Sequence, residues 1–229
     1  MRPNLRKLSS KKIYIIRHGQ TDFNLQGIVQ GSGVDSSLNA TGIAQAKAFF
    51  EAYKAVPFDQ LYTSALRRTK ETVSEFIQMG IPFEQLPGLN EISWGTNEGQ
   101  KITPDEDAYY QWMLKEWQTG NTSLRIKGGE SPDEVASRQL KVIDKINQHR
   151  PGENVLISMH GRAMRILLCQ LLNYPLKSMD MFDHANLCLY LLEFTGTMFS
   201  VKKFCDTDHL KNITLPRTST ETQSILSRT

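Results

Sequence analysis

Apolar positions in this chain follow two rhythms. Four short runs are continuous or alternate, as strands do: Ile13 to Ile16, "FDQLYTS" at 58–64, "PFEQL" at 82–86 and "NVLISMH" at 154–160. Between the first two lies "LNATGIAQAKAFFEAYK", where Ile43, Ala46, Phe50 and Tyr53 recur at helical spacing behind Thr41, a residue that can cap. After Ser64, the positions Leu66, Val73, Phe76 and Ile77 predict a second helix that ends near Gly80. Strand and helix alternate, which predicts an α/β fold with a mostly parallel sheet covered by helices.

The second half extends the pattern. Thr103 and Pro104, followed by Asp105, Glu106 and Asp107, predict a helix start that leads into Tyr109, Trp112, Met113, Glu116 and Trp117. At Ser131 the sequence "SPDE" supplies a capping box, with Pro132 at the first helical position and Glu134 three residues after the cap. Val135, Gln139, Val142, Ile143 and Ile146 carry that helix to a Pro151-Gly152 turn. "MRILLCQLL" predicts a helix after the strand ending at His160, and "NLCLYLLEF" with "MFSVKKF" around Thr195-Gly196 predicts a terminal β-hairpin. The division expected is a basic tail over 1–11, one domain over 12–206, and a disordered Ser/Thr-rich tail over 207–229.

Composition narrows the function classes. A chain of 229 residues suits one α/β domain, and no Pro/Gly/Ser-rich linker divides its middle. The net charge is only +3 and its basic residues are dispersed, which argues against nucleic acid and leaves small anions as partners. Cys169, Cys188 and Cys205 match neither a disulfide framework nor a metal or redox pair, so reduced thiols in the cytoplasm are expected. The leader "MRPNLRKLSSKK" lacks a signal-type apolar segment, and no apolar run approaches a membrane span.

In open α/β sheets, ligands bind beyond the carboxyl ends of the strands. The first strand delivers Arg17, His18 and Gly19 to that edge, the second delivers Ser64 and then Arg67 and Arg68, and the fourth delivers His160 and Gly161. Two histidines with arginines nearby make a cationic pocket, and a glycine after each histidine allows close backbone approach. Such a pocket suits a phosphate group.

"RHGQTDFN" at 17–24, "YTSALRRTKET" at 62–72, "LNEISWGTNEG" at 89–99, "GGES" at 128–131 and "SMHGRAMRIL" at 158–167 together resemble the histidine phosphatase superfamily, in its phosphoglycerate mutase-like branch. The resemblance runs from about Lys12 to Phe204, with every motif in family order. It implies a three-layer sandwich, with His18 as the nucleophile that becomes phosphohistidine. It also implies that Arg17, Arg68 and His160 hold the phosphoryl oxygens, that Asn24 and the backbone of Gly161 assist, and that Glu91 is general acid and base. Gly19, Gln20 and Thr21 fall with Asn24 in the substrate-binding motif.

These types suit the chemistry. A phosphomonoester dianion repels a nucleophile, so positive donors must neutralise its oxygens while a neutral imidazole attacks in line. The leaving alkoxide needs a proton, which a carboxylic acid can give and later recover from water. Arg67 is the variable position of its motif and reads as a solvated charge; Glu91 is alternatively a surface carboxylate, and Glu98 reads as part of a turn. Ala65 and Gln20 depart from the aspartate and glutamate common in the family without removing a catalytic group.

The segment from Gly99 to Gly129 resembles the family least and is where substrate-covering lids are inserted. Trp94, Tyr109, Tyr110, Trp112 and Trp117 line an entrance or pack in the core, and Arg125 and Lys127 meet a second anion or are solvated. The "DTDH" at 206–209 follows no strand-and-loop unit of the aspartate-nucleophile type, no Cys-x5-Arg or Walker motif is present, and His149, His184 and His209 read as surface histidines.

The function expected is a metal-independent phosphatase acting on a small phosphorylated metabolite, without a cofactor, a membrane or a nucleic acid partner, and with a homodimer as the default assembly. The rival is a phosphoglycerate mutase, with 2,3-bisphosphoglycerate needed only as primer. The resemblance favours hydrolysis, because glycolytic mutases carry a longer insertion between the acid and the second histidine. A non-catalytic phospho-ligand binding module of the same fold would be expected to lack His18 or Glu91.

Overall fold

A computed structural model of the chain describes residues 10–150, 153–211 and 213. The basic leader up to Ser9, the Pro151-Gly152 turn and the tail from Thr214 lie outside the described residues.

The continuous apolar run forms β1 (Lys11–Arg17), in which Ile13, Ile15 and Ile16 are completely buried because the strand has neighbours on both edges and helices on both faces. β2 (Gln60–Thr63), β3 (Phe83–Gln85) and β4 (Asn154–Met159) run parallel to it, in the order β3-β2-β4-β1. The expected hairpin is β5 (Leu189–Phe194) and β6 (Phe199–Asp206); it continues the same sheet antiparallel, beside β1.

Register then decides what meets at the carboxyl edge. Arg17 stands opposite Met159, so His18 and His160 follow side by side, and Thr63 opposite Ser158 brings Ser64 to the same level. Because β5 is antiparallel with Leu189 opposite Ile16, the residues that precede β5 arrive at that edge too.

Helices close both faces. α1 (Asp22–Gln26) follows β1, and α2 (Ala40–Tyr53), α3 (Arg67–Thr72) and α4 (Ser74–Gln78) succeed it on the way to β3. α5 (Pro104–Thr119) starts where expected, on a capping box of Thr103 with Glu106, and α6 (Pro132–Gln148) carries the expected capping box of Ser131 with Glu134; α7 (Gly161–Leu171) follows β4. One core layer holds Trp117, Val135, Ile146 and Ile166 against the sheet, and the opposite layer holds Phe49, Phe58 and Phe76.

Two local expectations are corrected. α2 is capped by Asn39, whose side chain accepts from the Gly42 N–H at 2.9 Å, and not by Thr41. The helix turns its Gly42 and Phe49 inward, leaving Ile43 61% exposed, because Gly42 lies directly on the backbone of Gln20. The second helix is two helices, broken at Val73. The Thr72 hydroxyl donates to the Arg68 carbonyl at 2.7 Å and accepts from the Gly19 N–H at 3.0 Å, which bends the turn toward the end of β1.

The Gly42 contact generates a prediction. Ala in place of Gly inside a helix normally stabilises by about 1 kcal/mol. A Cβ at Gly42 would stand 2.1 Å from the Gln20 carbonyl oxygen. Gly42→Ala is therefore expected to destabilise by roughly 1–3 kcal/mol, as overpacking does, read from the midpoint of urea unfolding; a stabilised variant would overturn the close-contact argument.

Candidate active site

His18 is 3% exposed, and its Nδ1–H donates to the carbonyl of the next residue, Gly19, at 2.7 Å. That bond assigns the tautomer and leaves Nε2 as the nitrogen with the free lone pair. Burial first, and then the charges of Arg68 and Arg17, hold the imidazole well below its ordinary value, so the ring is neutral.

Arg68 is completely buried. Its Nε donates to His160 Nδ1 at 3.2 Å, and its Nη atoms donate to the carbonyls of Val34 and Gly31 at 2.6 and 3.3 Å. Burial pulls this guanidinium down to about 10. Since Nδ1 of His160 accepts, its Nε2 carries the proton, which goes to Ser64 Oγ at 2.8 Å. The His160 ring lies 5.1 Å from that of His18, centroid to centroid, with both nitrogens engaged. His160 is likewise held well below its ordinary value by burial and by Arg68.

A cavity of about 250 Å³ opens in front of this cluster. Arg17, His18, Asn24, Glu91 and Gly161 line its inner end, whereas Arg68 and His160 stand behind the wall. Asn24 Oδ1 accepts from the Thr21 N–H at 3.2 Å and from Asn186 Nδ2 at 3.3 Å, which turns its amide N–H₂ the other way. Glu91 reaches the N-terminus of α7. One carboxylate oxygen accepts from the N–H of Ile92 and of Ala163, both at 2.9 Å, and the other from the N–H of Arg162 at 3.2 Å. α7 has no cap of its own from His160, and Glu91 takes that place.

The remaining residues of the "RHGQTDFN" motif do structural work and do not border the cavity. Gly19 donates to Thr72, Gln20 accepts from Asn39 Nδ2 at 3.0 Å, and the Thr21 side chain caps α1 and accepts from Gln30 at 2.7 Å. Glu98 is a loop tie, bonded to the N–H groups of Gly33 and Trp94 and to the Ser93 hydroxyl. Arg67 has a 60% exposed side chain, as expected. Of the lid aromatics, Trp94 and Tyr110 line the cavity, Trp117 is core, and Tyr109 and Trp112 are 45% and 46% exposed. Arg125 pairs with Glu134 on the surface and, like Lys127, does not border the cavity.

Sequence reasoning missed four contributors. His184 is no surface histidine: it lines the cavity, and its Nδ1 accepts from Arg17 Nη1 at 3.0 Å. Burial, with Arg17 next, pushes it down to about 2, so it too is neutral. Asn186 donates to the His18 carbonyl at 3.0 Å as well as to Asn24. The antiparallel hairpin was the available signal, because it returns the residues before β5 to the end of β1. Arg138 bonds the carbonyls of Gly88, Asn90 and Glu91 at 2.8, 2.9 and 3.0 Å and so pins the segment that carries Glu91. Arg162 borders the cavity beside Gly161. The surface reading fails for His149 and His209 as well: the first bonds the Tyr62 hydroxyl and Glu153, and the second packs on Phe49 and Tyr53.

Residues 13–207 match the model of the histidine phosphatase superfamily, branch 1. The protein named uncharacterized phosphatase PhoE of Bacillus subtilis is 29% identical over 86% of this chain and 96% of its own length. The protein named probable phosphoglycerate mutase GpmB of Yersinia pestis is 31% identical over 72% of this chain and 76% of its own length. Among solved structures, YhfR of Bacillus stearothermophilus superposes with a TM-score of 0.74 and 27% identity over 88% of this chain and all of that one.

The neutral histidines generate a pH prediction. His18, His160 and His184 have lowered values when folded, so the unfolded chain binds more protons below about pH 6.5. Stability is full above that pH and falls as the pH drops from it, by up to about 1.4 kcal/mol per pH unit for each such histidine. Urea unfolding between pH 7 and 5 should show this acid slope, and His18→Gln should make it shallower; a slope unchanged by the substitution would contradict a neutral, buried His18.

Proposed function

The chain belongs to the histidine phosphatase superfamily, and on that premise we propose that it is a phosphatase that hydrolyses a small-molecule phosphomonoester through a phosphohistidine on His18. The observation that carries the reading is the His18 tautomer: with Nδ1–H spent on the Gly19 carbonyl, the Nε2 lone pair belongs to a neutral ring at the inner end of a cationic cavity.

Nε2 attacks phosphorus, the ester P–O bond breaks, and its electron pair leaves on the alcohol oxygen, which takes a proton from the Glu91 carboxyl. Water then attacks the phosphohistidine and gives its proton to Glu91; the P–N pair returns to Nε2 and inorganic phosphate departs. Arg17 and the free amide of Asn24 face the oxygens of the transferring group, as does the first turn of α7 at Gly161. Arg68 supplies its field from behind the wall, and His160 acts by holding Arg68. These guanidinium groups supply the positive charge, so the proposed reaction needs no metal. Three free thiols suit a reducing, cytoplasmic setting.

Relatives named for hydrolysis and for mutase chemistry both match, and water decides between the two reactions. Purified protein is expected to release phosphate from phenyl phosphate in the presence of EDTA, and His18→Ala to lower kcat by about a thousandfold or more. Loss of activity on chelation sinks the metal-free mechanism, and a Cys169→Ala variant that abolishes turnover where His18→Ala does not sinks the nucleophile. Interconversion of 2- and 3-phosphoglycerate primed by 2,3-bisphosphoglycerate, without phosphate release, would establish the mutase reading instead.

A further inference from the structure

We propose that Arg162, with Tyr110, forms a receptor for a second anionic group on the leaving group, so that the substrates are phosphomonoesters of alcohols that bear a carboxylate or another phosphate. This rests on the reading of His18 as phosphoryl acceptor.

Arg162 lines the cavity next to Gly161, and its own N–H holds Glu91, so its side chain starts where the leaving group emerges. The guanidinium is buried, at 6% exposure, above the Trp117 ring at 5.3 Å. Its Nη1 donates to Asp180 and its Nη2 to the Tyr110 hydroxyl at 3.1 Å. An arginine has five N–H donors, and the others have no partner among the described residues. Because the Tyr110 oxygen accepts from Arg162, the phenolic proton is free to donate.

Charge points the same way. Arg165, whose side chain is partly exposed, bonds the same Asp180 oxygen at 2.8 Å, so Arg162 shares its one carboxylate partner with a second guanidinium and is left only partly compensated. Arg165 Nε is buried without a partner among the described residues. Such incomplete compensation is costly in a low-dielectric site, and an incoming anion offsets it. Glu106, on the outer wall, keeps its charge but is tied by the N–H and hydroxyl of Thr103 to the start of α5. The planar fork suits either anion.

The test compares binding of non-hydrolysable ligands by calorimetry. Phosphonoacetate, 3-phosphonopropionate and 4-phosphonobutyrate are set against alkylphosphonates of equal length, with alkane bisphosphonates as a third arm that separates a carboxylate from a second phosphate. At least one doubly anionic ligand should bind about tenfold tighter than its neutral-tailed match, the gain expected of a charge-assisted bond. Arg162→Met should cut that preference to about threefold or less, with Arg162→Lys between the two. Equal affinities in the unaltered protein overturn the inference, as does a preference that survives in folded Arg162→Met. Should that variant fail to fold, Tyr110→Phe decides: a reduced preference supports the receptor and an unchanged one overturns it. Hydrolysis of phenyl phosphate is scored separately, so a protein that turns it over but binds both series alike loses only this inference. One that turns over nothing loses the phosphatase reading, while the binding ratio still decides the role of Arg162.

Discussion

Holding two guanidinium groups, a fully buried one and one that lines the cavity, at the ends of parallel strands is the constraint around which the rest of this molecule is arranged. Arg17 ends β1 and Arg68 lies in the first turn of α3, and a carboxylate that acts on both is Glu91, itself committed to three backbone N–H groups. Unpaired buried cations are costly. Here the cost is met by carbonyls and by neutral ring nitrogens: Val34, Gly31 and His160 for Arg68, and His184 for Arg17. Each imidazole can accept only because it is deprotonated, so the cations and the neutral histidines require one another. What remains uncompensated is a positive field at the inner end of the cavity, where a phosphoryl dianion would supply the missing charge.

This arrangement explains why so many backbone contacts converge on the same edge. A histidine that must present one nitrogen needs the other fixed, and the Gly19 carbonyl does that only while Gly19 itself is held by Thr72 and pressed on Gly42. Glu91 needs its loop fixed, and Arg138 reaches across from α6 to three carbonyl groups of that loop to do it. Positioning through packed, directional contacts of this kind is what keeps reacting groups within the small tolerance that catalysis needs.

Much of this was legible in the sequence, and the parts that were not share a physical character. β1 and β4 announce themselves through their apolar runs, the start of α5 through Thr103-Pro104 and the acidic residues after it, and the capping box at Ser131 through Glu134 three positions away. His18 and His160 were found because strand ends in an open parallel sheet have a known destination. His184, Asn186 and Arg138 were not, because each acts through a partner far away in sequence: Arg17, His18 with Asn24, and the 88–91 loop. The inward face of α2 was misread for the same reason. Periodicity nominated Ile43, but the tertiary approach of Gly42 to Gln20 rotated the helix.

The two ends of the cavity differ in how they are built. Its inner end comes from the end of β1 and the first turn of α7, elements whose positions the sheet register dictates, joined by Asn24 of α1 and by Glu91. Its outer wall comes from Trp94, Ile102, Tyr110 and Ile126, which belong to the loops and the helix α5 between Glu91 and α6 and not to the sheet. Arg162 is the bridge, since it stands on α7 and points its charge at the outer wall through Tyr110. Under the proposed reaction, a fold organised this way would separate the phosphoryl chemistry of the inner end from the choice of alcohol at the outer wall.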